Sequence, residues 1–192
     1  MASRWRSVVV LTLTTFVLSI VLNLGSNSLM SVFSLPLSFV LLFGIILMGI
    51  IFDVIGVAAA AGRETPFHAM ASNRVRGARE GIWLVRNADQ VSVFCNDVVG
   101  DIGGTLSGAV GASIVFQLSA LGFPLTETLL STLMIAVIAA LTVGGKAMAK
   151  SFAISRSREI LLVAGKVIYG LKKVGFKFGE KGGRARKKRR SR

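Results

Sequence analysis

Cysteine and histidine are nearly missing from this chain, and their scarcity removes whole classes of chemistry. Cys95 is the one cysteine and His68 the one histidine among 192 residues, so neither an internal disulfide nor a cysteine-rich metal centre can form. A Cys95/His68 nucleophilic pair would need a third group to orient the base, and nothing in the sequence suggests one. The chain is therefore not read as an enzyme. Acidic residues are also few, nine against 23 Lys and Arg. The positive excess sits in one place: residues 146–192 hold sixteen Lys/Arg and two Asp/Glu, while residues 1–145 hold seven of each.

What fills the chain instead is apolar. Hydrophobic residues make up 53% of it and mean hydropathy is +0.69, which points to a bundle of membrane helices with a tail rather than a soluble domain. Four apolar segments can be drawn, at residues 8–24, 35–61, 91–118 and 125–143. The shortest has 17 residues, about 26 Å of helix at a rise of about 1.5 Å per residue, which matches the hydrocarbon thickness of a bilayer. The expected architecture is an all-α integral membrane protein with four transmembrane helices.

Lys and Arg are absent from two connections, residues 25–34 and 119–124. Arg4 and Arg6 precede the first segment, five arginines from Arg63 to Arg86 lie between the second and third, and the basic tail follows the fourth. By the positive-inside rule both termini are cytoplasmic, in what is expected to be a bacterial cytoplasmic membrane. The first segment has the basic start of a signal peptide, but no A-x-A cleavage site follows, so it reads as an uncleaved anchor.

Three carboxylates interrupt the apolar segments: Asp53, Asp97 and Asp101. A charge at the bilayer centre costs roughly 2.5 to 3.5 kcal/mol on insertion scales, so such residues usually face a bundle interior or a water-filled cavity. Asp97 and Asp101 are one helical turn apart on one face, with Asn96 on its flank. Opposed by Asp53 from a neighbouring helix at similar depth, they would offer hard oxygen ligands of the kind that suit Mg2+ or Ca2+. Equally, these aspartates could hydrogen-bond backbone or pair with arginines at the membrane edge. Gly100, Gly104 and Gly108 form a small-xxx-small stripe, with Ser107 and Gly111 beside it, expected to let this span pack closely in the bundle or in a homodimer. Residues 62–90 read as two short surface helices, the second over about 77–86.

The order of these motifs resembles the membrane domain of the CNNM/CorC family of magnesium transporters. That family has a long span ending in an S-G-S-E-T-A type element, short cytoplasmic helices, a G-A-K-x-A-x-x-L-x-x-N-P-D segment, a span opening with G-N-N, and a last span ending in G-E-x-x-P-K-x-x-A. This chain has AGRETP at 61–66, GAREGIWLVRNAD at 77–89, FCNDVVGDI at 94–102 and GKAMAKSFAISRSREILLVAG at 145–165. The resemblance covers roughly residues 36–165 and implies a three-helix core behind an N-terminal anchor. It matches Asn96 and Asp97 to the two asparagines, and Gly62, Glu64 and Thr65 to the S-G-S-E-T element. In the family these elements line a cation site in a dimer of three-span bundles, so the resemblance implies Mg2+ transport or binding and a homodimer.

The chain also departs from the family pattern. Ala61 and Arg63 stand at the serines, Ala149 stands at the proline, and the regulatory CBS pair is missing. Lys146 stands at the glutamate, placing a cation where the family has a metal-facing anion. It would repel Mg2+ or act as a counter-charge to Asp97 and Asp101. The alternative reading is then a non-transporting membrane scaffold.

The organisation expected is an anchor and outer loop at 1–34, a core at 35–145, a basic amphipathic helix at 146–179 and a charged tail at 180–192. In the third of these, Ile160, Val163, Val167, Leu171, Val174 and Phe178 recur at helical steps among lysines, as in a helix lying on a leaflet of anionic lipid. The final thirteen residues are too charged and glycine-rich to fold alone. No aromatic platform accompanies the basic run, so nucleic acid is not the expected partner.

Overall fold

The computed structural model describes residues 9–10, 12–21, 24 and 34–173, and the regular elements among them are all helices. A short apolar helix, α1 (Thr12–Val21), belongs to the expected anchor, parts of which lie outside the described residues. Three helical stretches are long and apolar enough to cross a membrane. These are α2 (Leu35–Ala61), the continuous run formed by α5 (Ala88–Ser92), a π-helical segment (Val93–Val99) and α6 (Gly100–Ala120), and α7 (Glu127–Ser155). Between them α3 (Glu64–Ser72) and α4 (Ala78–Arg86) form a compact cap, completed by α8 (Ser157–Lys173).

The boundaries follow from local chemistry. Pro36 sits in the first turn of α2, where its missing N–H costs no hydrogen bond. The helix stops where Gly62 turns extended, and α3 restarts with Glu64 in its first turn, the favourable end for a carboxylate. Gly77, at φ 85°, supplies the left-handed residue that enters α4, and Gly122, at φ 74°, turns the chain from α6 towards α7. The fourth apolar segment is longer than its composition suggests. α7 runs through Gly145, Lys146 and Lys150 to Ser155, so the expected boundary at residue 145 falls inside a helix, and the amphipathic helix begins at Ser157 instead.

α2 packs against both α6 and α7. Its buried positions Ser38, Leu42, Ile46, Gly49, Asp53, Gly56 and Ala59 follow one another at steps of three and four, a single helical stripe. Two apolar clusters bracket the bundle. Leu42 and Ile46 meet Val110 and Ile114 in one, and at the other end Ala58, Ala59, Phe67, Leu84, Val91, Cys95, Leu161 and Ala164 join α2 to the cap.

α8 holds to α4 by backbone proximity. A Cβ on Gly165 would collide with the Gly77 carbonyl oxygen and lie 3.2 Å from the Gly81 nitrogen. Lys172 Nζ then pairs with buried Glu80 at 3.2 Å. The expectation that α8 rests wholly on a leaflet is corrected here, because Leu161, Ala164 and Gly165 are buried against protein. The outer stripe of Val163, Val167 and Leu171 stays exposed.

On the cap surface Arg86 Nε donates to Glu64 Oε2 at 2.8 Å, and His68 Nε2 lies 3.2 Å from the same oxygen. The Arg86 hydrogen bond is the main reason the Glu64 carboxyl sits below its ordinary range.

Two outcomes are expected in thermal melts of the detergent-solubilised chain. Gly165→Ala should destabilise by about 1 to 3 kcal/mol through backbone overlap, whereas Gly170→Ala, with open space around it, should stabilise slightly. A depressed carboxyl pKa means that the Glu64–Arg86 contribution is present above the unfolded-state pKa and is lost as pH falls through the lower folded-state value. Glu64→Gln should therefore reduce the acid-side loss of stability, measured as melting temperature against pH.

Candidate cation site within the bundle

α2's periodicity turns Asp53 inward, and the carboxylate is 95% buried on the stripe that packs against the neighbouring helices. Gly56, one turn further on, has no side chain, and Asn96 fills the space: a Cβ on Gly56 would overlap Asn96 Oδ1. Ser92 Oγ donates to the Gly56 carbonyl at 2.8 Å, fixing the approach of the third helical stretch to α2. From α7, Lys146 Nζ comes to 3.9 Å from Asp53 Oδ1 and lies over Gly100, 3.3 Å from where a Cβ would stand. Three long apolar helical stretches thus bring together a carboxylate, an amide and an ammonium between the two apolar clusters.

The cluster is electrically closed but under-bonded. Lys146, 27% exposed at its side chain, neutralises Asp53 at the outer limit of an ion pair. Asp53 Oδ2 and Asn96 Oδ1 are both buried without a hydrogen-bond partner among the described residues. Such acceptors cost free energy in a low-dielectric setting until a donor or a cation meets them. Both atoms are hard oxygens, the donor type that suits Mg2+ or Ca2+.

The remaining predicted residues lie elsewhere. Asp97 and Asp101 are exposed on the outside of the bundle, and no group of three or more His, Cys, Asp or Glu able to hold a metal forms among the described residues. Lys146 is the counter-charge of Asp53, not of the other two aspartates. Glu64 belongs to the Arg86 pair on the cap. The small-residue stripe is also corrected: Gly104 and Gly108 are exposed, with open space where a Cβ would be, and only Gly100 lies near another helix's side chain. Close packing uses different glycines. Gly103 faces Gly49 Cα at 4.0 Å, Gly111 faces Ile138 and Met134, and Gly145 faces Ile50. The phase of α6 is set by bulky Val110 and Ile114 seating against α2, which turns positions 104 and 108 outward.

The π segment reconciles two incompatible phases. Val91, Cys95, Val98 and Ile102 form one buried stripe. Ile114, Val110 and Ser107 form another, and at steps of three and four it runs back through Gly103 and Gly100 to Asn96. The wide turn of Val93–Val99 lets both Cys95 and Asn96 approach α2. An open apolar groove of about 430 Å³ between α2 and α7, lined by Phe43, Ile46, Ile50, Leu141, Gly145 and Met148, offers no polar group to a ligand. Comparison with known protein families, with curated proteins and with solved structures returns no match.

Because Asp53 has one charged partner among the described residues, a double-mutant cycle should expose the coupling. Lys146→Met alone, which leaves a buried carboxylate unpaired, is expected to destabilise by about 3 to 5 kcal/mol. Asp53→Asn combined with Lys146→Met should recover most of that loss in the same thermal-melt assay.

Proposed function

We propose that this chain is an integral membrane protein with cytoplasmic termini that binds and moves a divalent cation, Mg2+ foremost. The observation that supports this reading is the pair of unpartnered buried oxygens, Asp53 Oδ2 and Asn96 Oδ1. The order of motifs shared with CNNM/CorC domains points the same way. A partly hydrated Mg2+ needs only one or two protein carboxylates, with water completing its octahedron. Asp53 would supply the charge and Asn96 a neutral oxygen. Lys146 holds the place of the cation while the site is empty, and its partial exposure gives the ammonium room to swing aside. Asp97, Asp101, Gly104 and Gly108 share the outward side of their span. In a homodimer a second copy would cover this stripe, shielding from lipid two carboxylates that are costly to leave there.

One observation favours a second reading. Lys146 already neutralises Asp53, so the cluster could serve only to hold three spans in register, as a membrane scaffold.

Thermal melts of four proteins with and without millimolar Mg2+ separate the two. Cation binding predicts a Mg2+-dependent rise in wild-type melting temperature that Asp53→Asn removes, since a ligand that binds only the folded state raises its stability. In that case Asp97→Asn weakens the rise only if the outward carboxylates join the site. The scaffold reading predicts no wild-type response, with one emerging in Lys146→Glu as repulsion gives way to a second carboxylate.

A further inference from the structure

Among the described residues nothing covers the outer face of α8, and its setting points to what does. α7, one of the helices able to span a membrane, ends at Ser155, and a single residue, Arg156, separates it from α8. In the last turns of α7, exposed apolar Met148, Phe152 and Ile154 alternate with exposed Lys150 and Arg156, the mixture found where a helix leaves hydrocarbon for headgroups. α8 therefore starts at a membrane surface in any arrangement that keeps α7 in the bilayer.

The two sides of α8 differ in kind. Leu161, Ala164 and Gly165 are buried against the cap, and Lys172 reaches back to Glu80. On the far side Val163 is 60% exposed and Val167 58%, with Leu171 continuing the stripe one turn on. Steps of four place these three on one line along the helix. Beside that line stands Lys166, exposed and making no ion pair among the described residues. The chain beyond Lys173 adds nine Lys/Arg against one Glu in residues 174–192. An apolar ridge flanked by uncompensated positive charge matches a bilayer leaflet rich in anionic headgroups: acyl chains meet the valines, and phosphates meet the ammonium groups.

We infer that α8 is a two-faced strap, whose Val163–Val167–Leu171 ridge docks on the anionic leaflet of the protein's own membrane while its inner face clamps α4. The strap links lipid composition to the cap. Gly165 touches the Gly77 turn, and Leu161 Cδ1 lies 2.7 Å from where a Cβ on Gly62 would stand, so docking of the ridge also holds the end of α2. This inference is independent of cation binding.

Site-directed fluorescence on the full chain tests it. Cys95, the sole cysteine, is buried, so the parent protein serves as the labelling blank. A bimane label at Val167→Cys, at Val163→Cys or, as the control facing away from the ridge, at Tyr169→Cys is reconstituted into vesicles containing brominated lipid. One set is purely phosphatidylcholine and the other includes phosphatidylglycerol. Bromine quenching about twofold stronger at positions 163 and 167 than at 169, and stronger with phosphatidylglycerol, is the expected result for an interfacial helix. Lys166→Glu should weaken the phosphatidylglycerol dependence of the quenching at positions 163 and 167 and leave the labelled proteins folded by tryptophan emission. Equal quenching at the three positions, or a ridge label shielded from both lipid and aqueous quencher, would overturn the inference, the latter because a protein surface would then be covering the ridge. Quenching indifferent to phosphatidylglycerol would overturn its electrostatic part.

Discussion

A carboxylate inside an apolar helix is the constraint around which this bundle is arranged. Asp53 lies on the same helical stripe as Leu42, Ile46 and Gly49, so it cannot be turned to the outside without exposing the apolar positions that hold α2 to its neighbours. Since it must point inward, the interior has to supply charge and space. Lys146 supplies the first, and Gly56 and Gly100 supply the second by leaving gaps where Asn96 and the lysine side chain fit. Burying an ion pair seldom stabilises a fold relative to apolar packing. The placement of apolar clusters on both sides of the pair shows which interactions bear the stability and leaves the polar layer free for another role.

The glycines divide along the same line. Some permit backbones or long side chains to meet, as Gly165 does with Gly77 and Gly145 with Ile50. Others, Gly104 and Gly108, have nothing over them among the described residues. Spacing cannot distinguish the two groups, because a three-residue gap between small residues is common to both.

Much of the fold was legible in the residues. The bounds of α2, the existence of α3 and α4, and the inward placement of Asp53, though not of Asp97 and Asp101, follow from hydropathy, glycine and proline punctuation, and the cost of charge in an apolar setting. Two features were not. The sequence GGK at 144–146 looks like a helix end, yet α7 continues because Ala153 is buried in tertiary contact and no proline intervenes. That continuation carries Lys146 into the bundle and gives it to Asp53 rather than to Asp97 and Asp101. The second is the π segment, which has no compositional signature. Its only sequence trace is a change of phase between the stripe through Cys95 and the stripe through Ser107, visible once the buried positions are known.

That change of phase gives the helical run from Ala88 to Ala120 an unusual relation to length. A π turn accommodates one residue more than regular α geometry would, and each residue in an α-helix is worth about 100° of rotation. Val93–Val99 thus behaves as a stored insertion. Losing a single codon there would close the wide turn to regular α geometry and leave the flanking helices in nearly the same relative phase, because the residue lost is the one the π turn had absorbed. Most stretches of a packed helix tolerate a change of residue better than a change in number. Here the count itself is the information, because it decides whether Cys95 and Asn96 can both approach α2.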